Sequence, residues 1–155
     1  MPKDDDAALG EIPLTSEPPS VVLDTNVVLD WLLFGEPAVA ALADAVTGER
    51  VRWLGTAAMR DELAHVLGRG LAAAHGADPA RVAAAWDRHC TQQPPAPPAA
   101  AHLRCTDTDD QKFIDLALAS GARWLISRDR AVLKLRRRAA QHGLTIAPPE
   151  QWRLE

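Results

Sequence analysis

The sequence predicts an α/β sandwich built around a mostly parallel sheet. Short, continuous apolar runs recur along the chain, as strands covered on both faces require. Helix-length amphipathic segments separate these runs. Strand and helix alternate, which is the pattern of crossover connections between parallel strands. A chain of 155 residues suits one such domain.

Residues 1–19 hold Asp4, Asp5, Asp6, Glu11 and Glu17 with Pro13, Pro18 and Pro19, and show no apolar periodicity. They read as a disordered acidic tail, because such a segment buries too little surface to offset its chain entropy. The folded domain is expected over 20–155. Its first strand is Val21-Val22-Leu23, its second Val51-Arg52-Trp53-Leu54, its third Trp124-Leu125-Ile126 and its fourth Leu144-Thr145-Ile146, stopped by Pro148-Pro149. Pro37 opens a helix with Val39, Leu42 and Val46 on one face and Gly48 after its end. Thr56 opens another, with a stripe of Met59, Leu63, Val66 and Leu67. Asp78-Pro79 starts a third, with Val82, Trp86 and Cys90 facing inward. Thr108 to Ser120 is expected as a fourth, ended by Gly121, and Arg130 to His142 as a last one, closed by Gly143. Gln92 to Ala99 (QQPPAPPA) reads as a stiff surface linker between helices.

Composition narrows the function. No apolar run reaches the ~20 residues of a membrane span. The acidic, proline-containing first twenty residues do not resemble a secretory signal, so a cytoplasmic protein is expected. Two cysteines, Cys90 and Cys105, are too few for a disulfide scaffold. A net charge of −4 means that nucleic-acid binding would need a local basic patch.

Ligands of open parallel sheets bind outside the carboxyl ends of the strands. Asp24 directly follows the first strand, and Asp129 follows the third after Ser127 and Arg128. Asp110 falls in the first turn of the Thr108–Ser120 helix, and Glu62 lies within the helix that Thr56 opens. Each has a bland reading. Asp24 suits a turn or cap, Asp129 a helix start, and Asp109 and Asp110 a helix N-terminus, where Thr108 and Gln111 have capping-box spacing. Glu62 sits about 40° from Val66 and about 60° from Met59, on the border of the apolar stripe. It has no lysine or arginine three or four positions away, so its partner must be His65 or come from elsewhere in the fold. Converging carboxylates repel one another, and a divalent cation such as Mg²⁺ or Mn²⁺ relieves the repulsion. Such an ion can activate water and polarise a phosphoryl oxygen, so the pattern permits a phosphodiesterase.

These residues resemble a known family. VVLDTNVVLDWL is similar to the opening of a PIN-domain nuclease, with an apolar strand, then Asp-Thr-Asn, then an apolar helix. TAAMRDELAHVL resembles the second motif of that family, with Glu62 as its acid. CTDTDDQKFIDLALASGARWLISRD resembles its third and fourth motifs run together. The likeness spans residues 20 to about 150 and points to the VapC-like toxin components of toxin–antitoxin systems. It implies a three-layer α/β/α sandwich. Asp24, Glu62, Asp110 and Asp129 would be the catalytic acids and would hold Mg²⁺ or Mn²⁺. The implied activity is endonucleolytic cleavage of RNA, with Asn26 and Ser127 orienting the carboxylates. A protein antitoxin and a homodimer are implied as partners. Asp107, Asp109 and Asp110 crowd one loop. Asp110 is preferred because it stands seven residues before Ala117, and Asp107 is the second choice.

The segment RDRAVLKLRRR supplies Arg128, Arg130, Lys134, Arg136, Arg137 and Arg138 against one acid. It suits phosphate contact near the active edge, or equally a solvated basic face. His89, Cys90, His102 and Cys105 do not have zinc-site spacing. Trp53, Trp86 and Trp124 read as core, whereas Trp31 and Trp152 leave base stacking open. A haloacid-dehalogenase-type phosphatase would need an acid where Asn26 stands, and a phospho-receiver domain a lysine within 127–130. The remaining alternative is a non-catalytic binding or assembly module, against which the intact acids argue.

Overall fold

The strand β1 (Ser20–Leu23) is the centre of the sheet in the structure, a computed structural model that describes residues 17–71, 76 and 78–154. Residues 1–16 of the expected acidic tail lie outside the described residues. Pro19 already belongs to the fold edge, because its carbonyl accepts the Arg52 N–H at 2.9 Å.

Among the described residues, five parallel strands run in the order β3-β2-β1-β4-β5, with β2 at Arg52–Thr56, β3 at Cys90–Gln93, β4 at Trp124–Ile126 and β5 at Thr145–Ala147. Val22 lies opposite Leu54 on one side and Leu125 on the other. Helices cover both faces, which is why the central strands are apolar throughout: Val21, Val22, Leu125 and Ile126 are fully buried. The helices are α1 (Thr25–Leu32), α2 (Ala40–Thr47), α3 (Ala57–Val66), α4 (Pro79–His89), α5 (Gln111–Ala119), α6 (Arg130–Leu133) and α7 (Arg136–Ala140). Right-handed crossovers put α1 to α4 on one face and α5 to α7 on the other, giving the three layers. No single described helix is long and apolar enough to cross a membrane.

Helix starts follow the sequence. Asp24, Thr56, Asp78 and Asp129 each accept a backbone N–H from their own first turn, at 3.2, 3.4, 2.9 and 2.8 Å. Gly121 and Gly143 follow the ends of α5 and α7 with φ of 67° and 79°, which only glycine adopts freely.

Four readings need correction. First, Cys90–Gln93 is a strand, so α4 stops at His89 and the stretch from Gln92 does not begin as a linker. It is an edge strand paired only to β2, with Thr91 and Gln92 exposed, and such a strand needs no continuous apolar run. Second, Arg130 to His142 is two short helices. The chain leaves helical geometry at Leu135 (φ −88°, ψ 1°), whose side chain enters the core. Third, no Thr108–Gln111 capping box forms. Asp107 caps the 3-10 turn Thr108–Asp110 instead. The Gln111 side chain accepts the Cys105 N–H and donates to the Leu103 carbonyl (3.2 Å) and to Asp115 (2.9 Å). Fourth, Trp152 is buried edge-on against Trp124, with ring centroids 5.5 Å apart, and offers no face to a base.

Trp53 packs against Trp31 and Trp86 at 5.3 and 4.8 Å between centroids. The backbone of Gly55 lies under this cluster. A Cβ there would stand 2.8 Å from the Trp86 ring and 2.9 Å from Cys90 Sγ.

Candidate active site

The strand order reverses direction at β1, whose neighbours β2 and β4 lead to opposite halves of the sheet. At such a point the loops leave in opposite directions and open a crevice at the carboxyl ends of the strands. Asp24 follows β1 at that place, and Ser127, Arg128 and Asp129 follow β4.

Asp24 is 4% exposed. Its backbone N–H donates to the Ile126 carbonyl at 3.1 Å, which ties β1 to the end of β4. The Ser127 hydroxyl, wholly buried, donates to Asp24 Oδ2 and accepts the Asp129 N–H at 3.0 Å. One serine therefore orients two acids from different strands. Burial pushes the Asp24 carboxyl above its ordinary range. The Ser127 hydroxyl and the Val27 and Asn26 backbone N–H groups pull it down, and Asp129 adds to the rise. The Asn26 side chain is exposed, so Asn26 acts on Asp24 through its backbone N–H.

Asp110 meets Asp129 side chain to side chain, within the electrostatic reach of Asp24. Together with Asp107 they offer carboxylate oxygens that all lie within 4.8 Å of one another. This is the only such group of possible metal ligands among the described residues, and the His89, Cys90, His102 and Cys105 set forms none. Asp109 is exposed and stands outside it; its N–H donates to Asp107 Oδ1 at 3.0 Å. Asp110 is pushed up to about 7. Partial burial is the largest cause, followed by its contact with Asp129 and the charges of Asp129, Asp107 and Asp24. A carboxyl raised first by burial and then by neighbouring acids marks a site short of positive charge.

Glu62 stands beside the group rather than in it. Thr25, the residue after Asp24, donates its hydroxyl to Glu62 Oε2. Lys112 on α5 pairs with Glu62 Oε1 and also donates to the Asp109 carbonyl. The partner that Glu62 lacks within its own helix is therefore Lys112. Thr25 and Lys112 were both missed from the sequence. Lys112 carried a signal, because it is the one cation in the acid-bearing segment 108–120.

The sequence model of the PIN domain family matches residues 20–131. The chain belongs to the PIN domain family. The fold of this PIN domain is similar to that of a chain in the crystal structure of VapBC2 from Rickettsia felis bound to a DNA fragment from their promoter. The TM-score is 0.55 over 82% of this chain and 96% of that chain, at 10% identity, so the likeness is one of fold. No curated protein matches the sequence.

The basic segment of this PIN domain divides in two. Arg128 is held by Asp30 (2.8 Å) and Glu150 (3.0 Å), and Arg138 donates to the His102 carbonyl at 3.2 Å. Arg130, Lys134, Arg136 and Arg137 are exposed.

Proposed function

We propose that this PIN domain is a metal-dependent endoribonuclease that hydrolyses RNA phosphodiester bonds, and that it is the toxin of a toxin–antitoxin pair. The observation that carries this reading is the meeting of Asp107, Asp110 and Asp129 at the switch point of the sheet, with Asp24 within electrostatic reach.

The residues present fit a hard divalent cation. The donor set is all oxygen and anionic, which favours Mg²⁺ or Mn²⁺ over zinc. The Asp110 carboxyl is raised by burial and, after that, by the acids around it, and a bound cation would offset both. Asp107, Asp110 and Asp129 would hold the ion, with Asp24 and Glu62 flanking it. When bound, the ion supplies charge neutralisation at the scissile phosphate and a water of lowered pKa.

The chain's own groups do the rest. Ser127 fixes Asp24 and Asp129 relative to each other, so the acids do not reorganise when substrate arrives. Thr25 and Lys112 keep Glu62 at the rim. Arg130, Lys134, Arg136 and Arg137 give an acidic protein an exposed positive face for the phosphate backbone. The reading includes a protein antitoxin as partner, for which the VapBC2 complex with a chain of similar fold is the support, and it takes the protein to act as a homodimer in the cytoplasm.

The test is cleavage of a mixed RNA pool by the purified protein in Mg²⁺ or Mn²⁺, in chelator, and as Asp24→Asn. Cleavage in metal alone is expected, with loss in chelator and in the variant. Equal RNA loss in every arm refutes the mechanism. No cleavage in any arm leaves the non-catalytic binding module.

A further inference from the structure

A cavity of about 370 Å³ opens beside the acids, and no part of the proposed catalytic group uses it. Its floor is the end of β2 and the start of α3 at Thr56, and one wall is the edge strand β3 with Gln92 and Gln93. The opposite wall is Lys112 and Asp115 on α5, and Pro94 and Pro95 close it.

This wall is held in shape. Pairing with β2 fixes Gln92 and Gln93. Pro94, Pro95, Pro97 and Pro98 restrict their own φ angles and those of their neighbours. Asp115 accepts the Ala99 N–H at 2.8 Å and so pins the far end of the proline stretch to α5. A groove ordered in advance loses little entropy when a ligand enters. Asp115 also accepts from Gln111 at 2.9 Å, so its charge is engaged by two donors.

Lys112 links the groove to the acid-bearing loop. It lines the groove, and the same ammonium contacts Glu62 and the carbonyl of Asp109, which lies between Asp107 and Asp110 in the chain. A chain of phosphates crossing the acids would therefore carry the adjoining nucleoside to this opening.

We infer that the groove between Gln92-Gln93-Pro94-Pro95 and Lys112 is a subsite for one nucleoside of the RNA, next to the scissile phosphate. Proline rings offer flat apolar surface to a base. A glutamine amide sets a donor beside an acceptor, which is the pattern a base edge complements. The Gln93 amide nitrogen donates to the Gln92 carbonyl at 3.4 Å, so the amide oxygen is the group of Gln93 left to accept from a base. Gln92 and Gln93 are then specificity-determining residues, and Lys112 guides the backbone between groove and acids. This inference rests on the ribonuclease reading, and its test separates the two.

Two measurements are made on the full chain. A random-sequence RNA pool is cleaved with Mn²⁺, and the ends are sequenced, for the wild type and for Gln92→Ala/Gln93→Ala. Side-chain amide signals of Gln92 and Gln93 are followed by NMR during titration with each of the four ribonucleoside 5′-monophosphates. The expected result is a base preference at one position flanking the cut, reduced about tenfold in the double variant, roughly the worth of one or two hydrogen bonds. Gln92 is exposed, so Gln92→Ala alone keeps the test readable if the double change disturbs the edge strand. Cleavage whose base preference is absent, or unchanged in the variants, overturns the subsite and leaves the ribonuclease reading standing. A wild type that does not cleave, but whose Gln92 and Gln93 amides shift saturably with a nucleotide, keeps the subsite and overturns the ribonuclease reading. Neither cleavage nor shifts overturns both.

Discussion

Replacing Asp110 with asparagine should stabilise the metal-free protein at pH 8 and change it little at pH 4.5. The Asp110 carboxyl rises from an ordinary 3.8 to about 7 in the fold, because it is partly buried and faces Asp129, Asp107 and Asp24. A carboxyl whose folded pKa is raised binds its proton more tightly folded than unfolded. It therefore costs stability as pH climbs from about 4 to about 7, and the cost is complete above 7. Three pKa units at about 1.36 kcal/mol each would give about 4 kcal/mol. Asp110 is only half-buried and shares its repulsion with three neighbours, so water screening reduces this to about 1–2 kcal/mol. For a chain of this size that is a rise in melting temperature of about 2–8 °C. The assay is urea and thermal unfolding of wild type and Asp110→Asn in chelator at both pH values. A variant no more stable than wild type at pH 8, or one that gains as much at pH 4.5, refutes the reasoning. Stability given up at a cluster of acids is the expected mark of a site built for a cation.

Other outcomes follow from the same geometry. Ser127→Ala leaves the buried Asp24 carboxylate without its hydroxyl donor and the Asp129 N–H without an acceptor; a loss of about 2 kcal/mol in urea unfolding is expected. Gly55→Ala drives a methyl into the Trp86 ring and Cys90 Sγ, both under 3 Å away, and should cost about 1–3 kcal/mol in the same assay. Neutralising Arg136 and Arg137 to glutamine should weaken binding of single-stranded RNA whatever its sequence. The slope of log affinity against log salt should fall by about 1.4, and an unchanged slope would give these residues to solvent or to a protein partner.

The layers were legible because the physics is local and strong. A strand buried on both faces must be apolar throughout, so Val21-Val22-Leu23 and Trp124-Leu125-Ile126 announce themselves. The edge strand Cys90–Gln93 did not, because its stability comes from pairing with β2 and its side chains need not be apolar. At the site, acids that end strands or open helices could be placed from sequence: Asp110 and Asp129 lie together with Asp107, and Ser127 ties Asp24 to the Asp129 backbone. Spacing ranked Asp107 second to Asp110, whereas the 3-10 turn Thr108–Asp110, which Asp107 caps, sets both beside Asp129. The Lys112 contact with Glu62 joins α5 to α3 across 50 residues, and spacing within one helix carries no trace of it.

The proposed nuclease chemistry requires that these acids share an ion. Calorimetric titration of the full chain with Mn²⁺ measures this directly, using wild type, Asp110→Asn, Asp129→Asn and the exposed control Lys134→Ala. Saturable binding to wild type and the control is expected, weakened about tenfold or more by either acid substitution. No binding to wild type at millimolar Mn²⁺, or equal affinity in Asp129→Asn, would contradict it.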